Sequence, residues 1–119
     1  MTNYKDFFIG MGFFFIAQSL SWYQTNGQFI SKWIKENPIL ITALCGVPIG
    51  MSYIYATSYI VNAFGGTLWS ARLLGFSTGV ASFALLTYIH MREGITIKTA
   101  VILALAVTIV LLQVFWKIN

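Results

Sequence analysis

The chain has 119 residues, of which 58% are hydrophobic, 17% aromatic and only 8% charged, and its formal net charge is +4. Soluble domains carry about a quarter charged residues, so this composition identifies a bilayer as the solvent. Four spans of ~20 apolar residues consume about 80 positions and exclude a separate catalytic domain. The basic residues are scattered among the connecting segments, which gives a membrane-loop pattern and no nucleic-acid patch. The single cysteine, Cys45, excludes an intrachain disulfide.

The first span is expected at about residues 7–23. Lys5 ahead of an apolar stretch resembles a signal peptide, but Asp6 offsets that charge and Ala17-Gln18-Ser19 is a poor cleavage site, so the stretch is read as a span. The polar run Gln24-Thr25-Asn26-Gly27-Gln28 ends it. Over residues 29–36, Phe29, Ile30, Trp33 and Ile34 oppose Lys32, Lys35 and Glu36, the spacing of a short interfacial amphipathic turn. Asn37 then reads as a cap and Pro38 as the first residue of span two, residues 38–61, which Pro48 should bend near residues 44–47.

Residues 62–66 are too few for anything but an antiparallel turn. Span three is expected over residues 67–90. The segment Met91-Arg92-Glu93-Gly94 follows as a second tight turn, with Gly94 suited to a positive φ. Span four covers residues 96–116, ending at Trp116 and Lys117 as interfacial anchors. The expected fold is therefore an all-α integral membrane protein, a single domain over residues 1–119 with four transmembrane helices in a compact bundle. It is multi-pass, in an inner or plasma membrane, with both termini on one side. Lys32, Lys35, Arg92 and Lys98 favour cytoplasmic connections over the side holding Lys5, Arg72 and Lys117, with insertion in both orientations as the alternative.

Apart from Lys98 in the first turn of span four, Arg72 is the only formal charge within a span, and at a bilayer centre it would cost at least ~2.5 kcal/mol. Near the start of span three it either snorkels to the headgroups or meets an anion of a ligand or partner. Gln18 and Ser21 share a face of span one, for solute or water contact or for an interhelical hydrogen bond. Tyr59 and Trp69 belong to an interfacial belt or face a ligand. Small residues recur four apart: Gly46 and Gly50 in span two, extended by Ala43; Gly75 and Gly79 in span three beside Ala71 and either Thr78 or Ser82; Ala100, Ala104 and Thr108 in span four. Such faces serve helix packing within the bundle, a dimer, or a substrate-lined groove. His90 reads as interfacial. No nucleophile–base pair, paired carboxylates, phosphate loop or metal-ligand cluster is present, so neither an enzyme nor a cofactor or metal is expected.

The stretch Gly66-Thr67-Leu68-Trp69-Ser70, a glycine-containing third span, and Arg92-Glu93-Gly94-Ile95 leading into an apolar fourth resemble the small multidrug resistance proteins of the drug/metabolite transporter superfamily. The resemblance covers about residues 62–115. It implies an antiparallel homodimer with a pocket formed by spans one to three, Trp69 lining it, and span four making the dimer contact. Where that family has a span-one glutamate this chain has Gln18, which departs from proton-coupled export of cations. Two functions follow as expectations. One is a transporter-like homodimer moving a small neutral, anionic or amphiphilic solute without a buried acid; the other is an accessory or scaffold subunit docked on another membrane protein.

Overall fold

The computed structural model describes residues 3–116, and the expected anchor Lys117 lies outside them. All regular structure among the described residues is helical: α1 (Tyr4–Asn26), a 3₁₀ turn (Gly27–Phe29), α2 (Lys32–Glu36), α3 (Pro38–Ala63), α4 (Leu68–Met91) and α5 (Ile97–Phe115). Three of these, α3, α4 and α5, are long and apolar enough to cross a membrane, the pattern of a multi-pass membrane protein. α1 has the length, 23 residues, or about 35 Å of rise. Its Lys5, Asp6, Gln18 and Gln24 leave it more polar than the other three.

α1 and α3 run slightly past the expected spans, because polar residues cost little at helix ends that reach water, while α4 is shifted one residue later and α5 falls one residue short at each end. α1 begins at Tyr4, where the Asn3 side chain caps it by accepting from the Asp6 backbone N–H at 3.2 Å. The interfacial segment divides into the 3₁₀ turn and α2, with Lys32 and Glu36 paired at 3.8 Å across one turn. Asn37 holds the cap position of α3 but does not cap it. Its amide donates to the Trp33 carbonyl at 2.8 Å and so serves the end of α2 instead. α3 continues unbroken through Pro48.

Turn chemistry explains the two tight connections. Gly65 and Gly66 have φ of 74° and 97°, and Gly66 N–H donates to the Val61 carbonyl at 2.8 Å while Gly65 N–H reaches the Asn62 carbonyl at 3.4 Å. That is the Schellman closure of α3, at angles that only glycine accepts readily. After α4 the positive φ falls on Arg92 (58°), not on Gly94 as the sequence implies. The helix ends at Met91, which puts its left-handed residue one position later, before the glycine is reached.

α1 is the centre of the bundle. It packs on both α3 and α4, while α5 lies against α4. Its buried residues Phe7, Gly10, Phe14 and Ala17 recur three and four apart and meet Ala56, Ile60 and Ala63 of α3 and Ala71 and Leu74 of α4. A Cβ on Gly10 would lie 2.7 Å from Cγ1 of Ile60 and 3.2 Å from the Ala56 carbonyl oxygen, so the α1–α3 approach requires glycine there. The bundle measures 52 × 35 × 18 Å. Eighteen ångströms is less than two helix diameters, so most large apolar side chains point outward, as lipid-facing residues do. α5 is the extreme case, with Ala106 its one buried residue.

Candidate functional site

α3 and α4 both rest on α1 and leave a groove of about 730 Å³ floored by Phe14 and Gln18 of α1. Tyr53 and Thr57 form the α3 wall, and α4 supplies the other, from Leu68 through Arg72 and Phe76 to Phe83. The volume lies within the ~300–1,000 Å³ of small-molecule sites.

The α4 wall is built on glycine. Phe14 and Gln18 are four apart on α1, Gly75 and Gly79 four apart on α4, and the two pairs meet. A Cβ on Gly75 would stand 3.1 Å from the Phe14 ring, and one on Gly79 would stand 3.0 Å from the Gln18 amide. This close approach lets Gln18 Nε2 donate to the Gly75 carbonyl at 2.9 Å. Among the described residues its Oε1 has no hydrogen-bond partner, so the amide keeps an acceptor on the groove floor.

Arg72 stands on the same wall, one turn before Gly75 and about 6 Å of rise from the first residue of α4. Its side chain is exposed, with no hydrogen bond or ion pair to any described residue. The nearby end of the bundle does hold a carboxylate, but Asp6 is engaged. It accepts from Asn3 at 3.0 Å and from the Asn62 amide, tying the start of α1 to the end of α3. No Asp, Glu or His lines the groove.

The other expected site residues are placed differently. Tyr59 lines a neighbouring cavity that shares Thr57 and Leu68 with the groove, and its ring stacks on Phe13 of α1 at 6.0 Å. Trp69 is 75% exposed and lines neither cavity. Ser21 is half-buried on α1, outside both, its carbonyl accepting from Thr25 Oγ1 at 2.9 Å. Gly46 and Gly50 face open space, and Ala100, Ala104 and Thr108 are exposed along α5, where Thr108 Oγ1 bonds the Ala104 carbonyl at 2.8 Å. The small residues therefore divide into an inner pair, Gly75 and Gly79, and outward faces on α3 and α5.

Sequence reasoning overlooked three features. Gly10 was legible as part of a small–large–small face, Gly10-Phe14-Ala17, that complements Ala56-Ile60-Ala63 at similar spacing. Tyr53 and Thr57 carry no local signal, since only the helix packing brings them to Gln18. At the opposite end of the bundle, Trp22 Nε1 donates to Thr87 Oγ1 at 3.0 Å in a buried bond, and the Trp22 ring stacks on His90 at 5.3 Å. His90 Nε2 lies 2.8 Å from the Tyr23 hydroxyl. These residues join α1 to α4 as well as marking an interface.

Among the described residues no three His, Cys, Asp or Glu side chains come together as a metal site. The groove offers instead a free cation at its rim, a fixed amide on its floor and apolar walls between them. No family model, curated protein or solved structure matches the chain.

Proposed function

We propose that this chain is a four-span membrane transporter-like protein that moves a small neutral, anionic or amphiphilic solute as a homodimer, without a buried acid for proton coupling. One observation carries the reading: Gln18 and Arg72, polar groups contributed by different helices, line the same groove in an otherwise apolar bundle. Polar side chains at membrane depth face protein or a cavity because lipid cannot satisfy them. In this reading α1 is the fourth span. Its polarity is tolerated because α3 and α4 cover the face that bears Phe14, Ala17 and Gln18.

The homodimer rests on the outward faces. α5 offers Ala100, Ala104 and Thr108, and α3 offers Gly46 and Gly50, both free for the close helix contact that small residues allow. The resemblance to the small multidrug resistance proteins likewise assigns span four to the dimer. The same faces support a second reading, an accessory subunit docked on a different membrane protein. Purification in mild detergent separates the two, since a homodimer without a stoichiometric partner argues for transport and a constant second protein for docking.

Flux in liposomes tests the function itself. Sucrose efflux, carboxyfluorescein efflux and flipping of a fluorescent phospholipid sample the three solute classes. At least one should be accelerated by the protein and lost in Gln18→Ala or Arg72→Ala. Acceleration that both substitutions leave unchanged removes the groove from the proposal, and the absence of any acceleration contradicts transport.

A further inference from the structure

We infer that the groove holds a phosphate-bearing amphiphile, a membrane phospholipid with an anionic headgroup, its phosphate at Arg72 and one acyl chain laid along α4. The inference rests on the transport reading of the same groove and narrows its solute class.

Charge placement gives the headgroup end. Arg72 is about 6 Å of rise from the start of α4, the depth at which a long side chain reaches headgroup level. Among the described residues its guanidinium has no counter-ion, and Asp6, the one side-chain carboxylate they place at that end of the bundle, is bonded to Asn3 and Asn62. A guanidinium fork matches a phosphate better than a point-like ammonium does.

Shape gives the tail. From Arg72 to Phe83 the α4 wall runs eleven positions, about 16 Å of rise, and beyond the cation it presents Phe76, Val80 and Phe83. A bare inorganic anion would use none of that length. A cationic amphiphile would place its charge against Arg72. Gln18 lies below the cation with its Oε1 free to accept, within reach of an ester or hydroxyl region instead of the phosphate.

The test is lipid selectivity, read by electron paramagnetic resonance. The full chain is reconstituted in dioleoylphosphatidylcholine vesicles containing a trace of phosphatidylglycerol or phosphatidylcholine spin-labelled on the acyl chain. The immobilised component should favour phosphatidylglycerol about fivefold, the scale of one basic residue meeting an anionic lipid. Arg72→Gln should reduce that preference to about one, and Arg72→Lys should retain part of it. Lys5→Gln removes a charge from the same end of the bundle outside the groove and should change nothing. Val80→Trp fills the groove and should release the immobilised chain while Arg72 remains.

Equal immobilisation of the two lipids, or a preference lost equally in Lys5→Gln, overturns the inference. So does displacement by inorganic phosphate beyond that produced by chloride at the same ionic strength, since it would assign the site to the free anion. Selective immobilisation without flux supports the lipid site and removes transport. Flux sensitive to Gln18 and Arg72 without lipid selectivity does the reverse.

Discussion

The side-chain amide of Gln18 on α1 donates to the backbone carbonyl of Gly75 on α4 at 2.9 Å, across a helix contact where a Cβ on Gly79 would stand 3.0 Å from that amide. The bond orients the amide on the groove floor but contributes little to stability. The Gly75 carbonyl also accepts from Thr78 Oγ1 at 2.9 Å, and interhelical hydrogen bonds in membranes average about 0.6 kcal/mol. Gln18→Leu should therefore lower unfolding stability by no more than about 1 kcal/mol while abolishing flux. Stability read by steric trapping and flux read in liposomes separate the two effects. A large stability loss would make Gln18 a packing residue.

Gly10 is the position where a single methyl should matter most. Its Cβ would meet Ile60 at 2.7 Å and the Ala56 carbonyl oxygen at 3.2 Å, one a flexible side chain and the other a fixed backbone. Gly10→Ala should cost about 1–3 kcal/mol, the usual range for overpacking, seen as a lower thermal aggregation midpoint in detergent. Gly10→Ala should cost less in an Ile60→Ala background than in the native chain, because that truncation removes the nearer obstacle and leaves the carbonyl. A neutral Gly10→Ala would mean that α1 and α3 are less closely packed than described.

The Trp22–Thr87 bond makes a different kind of prediction, since both groups are buried. Thr87→Val keeps the shape and leaves an indole N–H without its acceptor, at about 1–3 kcal/mol. Trp22→Phe removes the donor together with the ring that stacks on His90. In a double-mutant cycle the pair should show coupling, whereas Trp22→Phe and Ile109→Ala, on separate faces of the bundle, should add.

Much of the architecture was legible because bilayer solvent imposes simple rules. Apolar length gave α3, α4 and α5, and the shortness of residues 62–66 marked the turn between the first two. The positive φ at Arg92 was not legible, because it depends on where α4 stops and not on where glycine stands. Nor was the division of the small residues: Gly46-x-x-x-Gly50 and Gly75-x-x-x-Gly79 look alike in sequence, yet one faces open space and the other receives Phe14 and Gln18. Gln18 and Arg72 stood out as polar groups inside apolar runs, and the fold places both on one groove. Trp69 stood out for the same kind of reason, but the register of α4 leaves it exposed. Tyr53 and Thr57 had no such mark.

The central claim is that α1 crosses the membrane as the shielded fourth span, and a depth measurement tests it without regard to orientation. Spin labels at Asn3→Cys, Ile16→Cys and Gln28→Cys, in a Cys45→Ala background, report exposure to oxygen and to a water-soluble nickel chelate; Ile16 is 51% exposed on α1 and tolerates a label. The account predicts that residue 16 is deep, rich in oxygen and protected from nickel, while residues 3 and 28 are both shallow. Three labels at one shallow depth would make α1 a surface helix, leave three spans, and contradict the account.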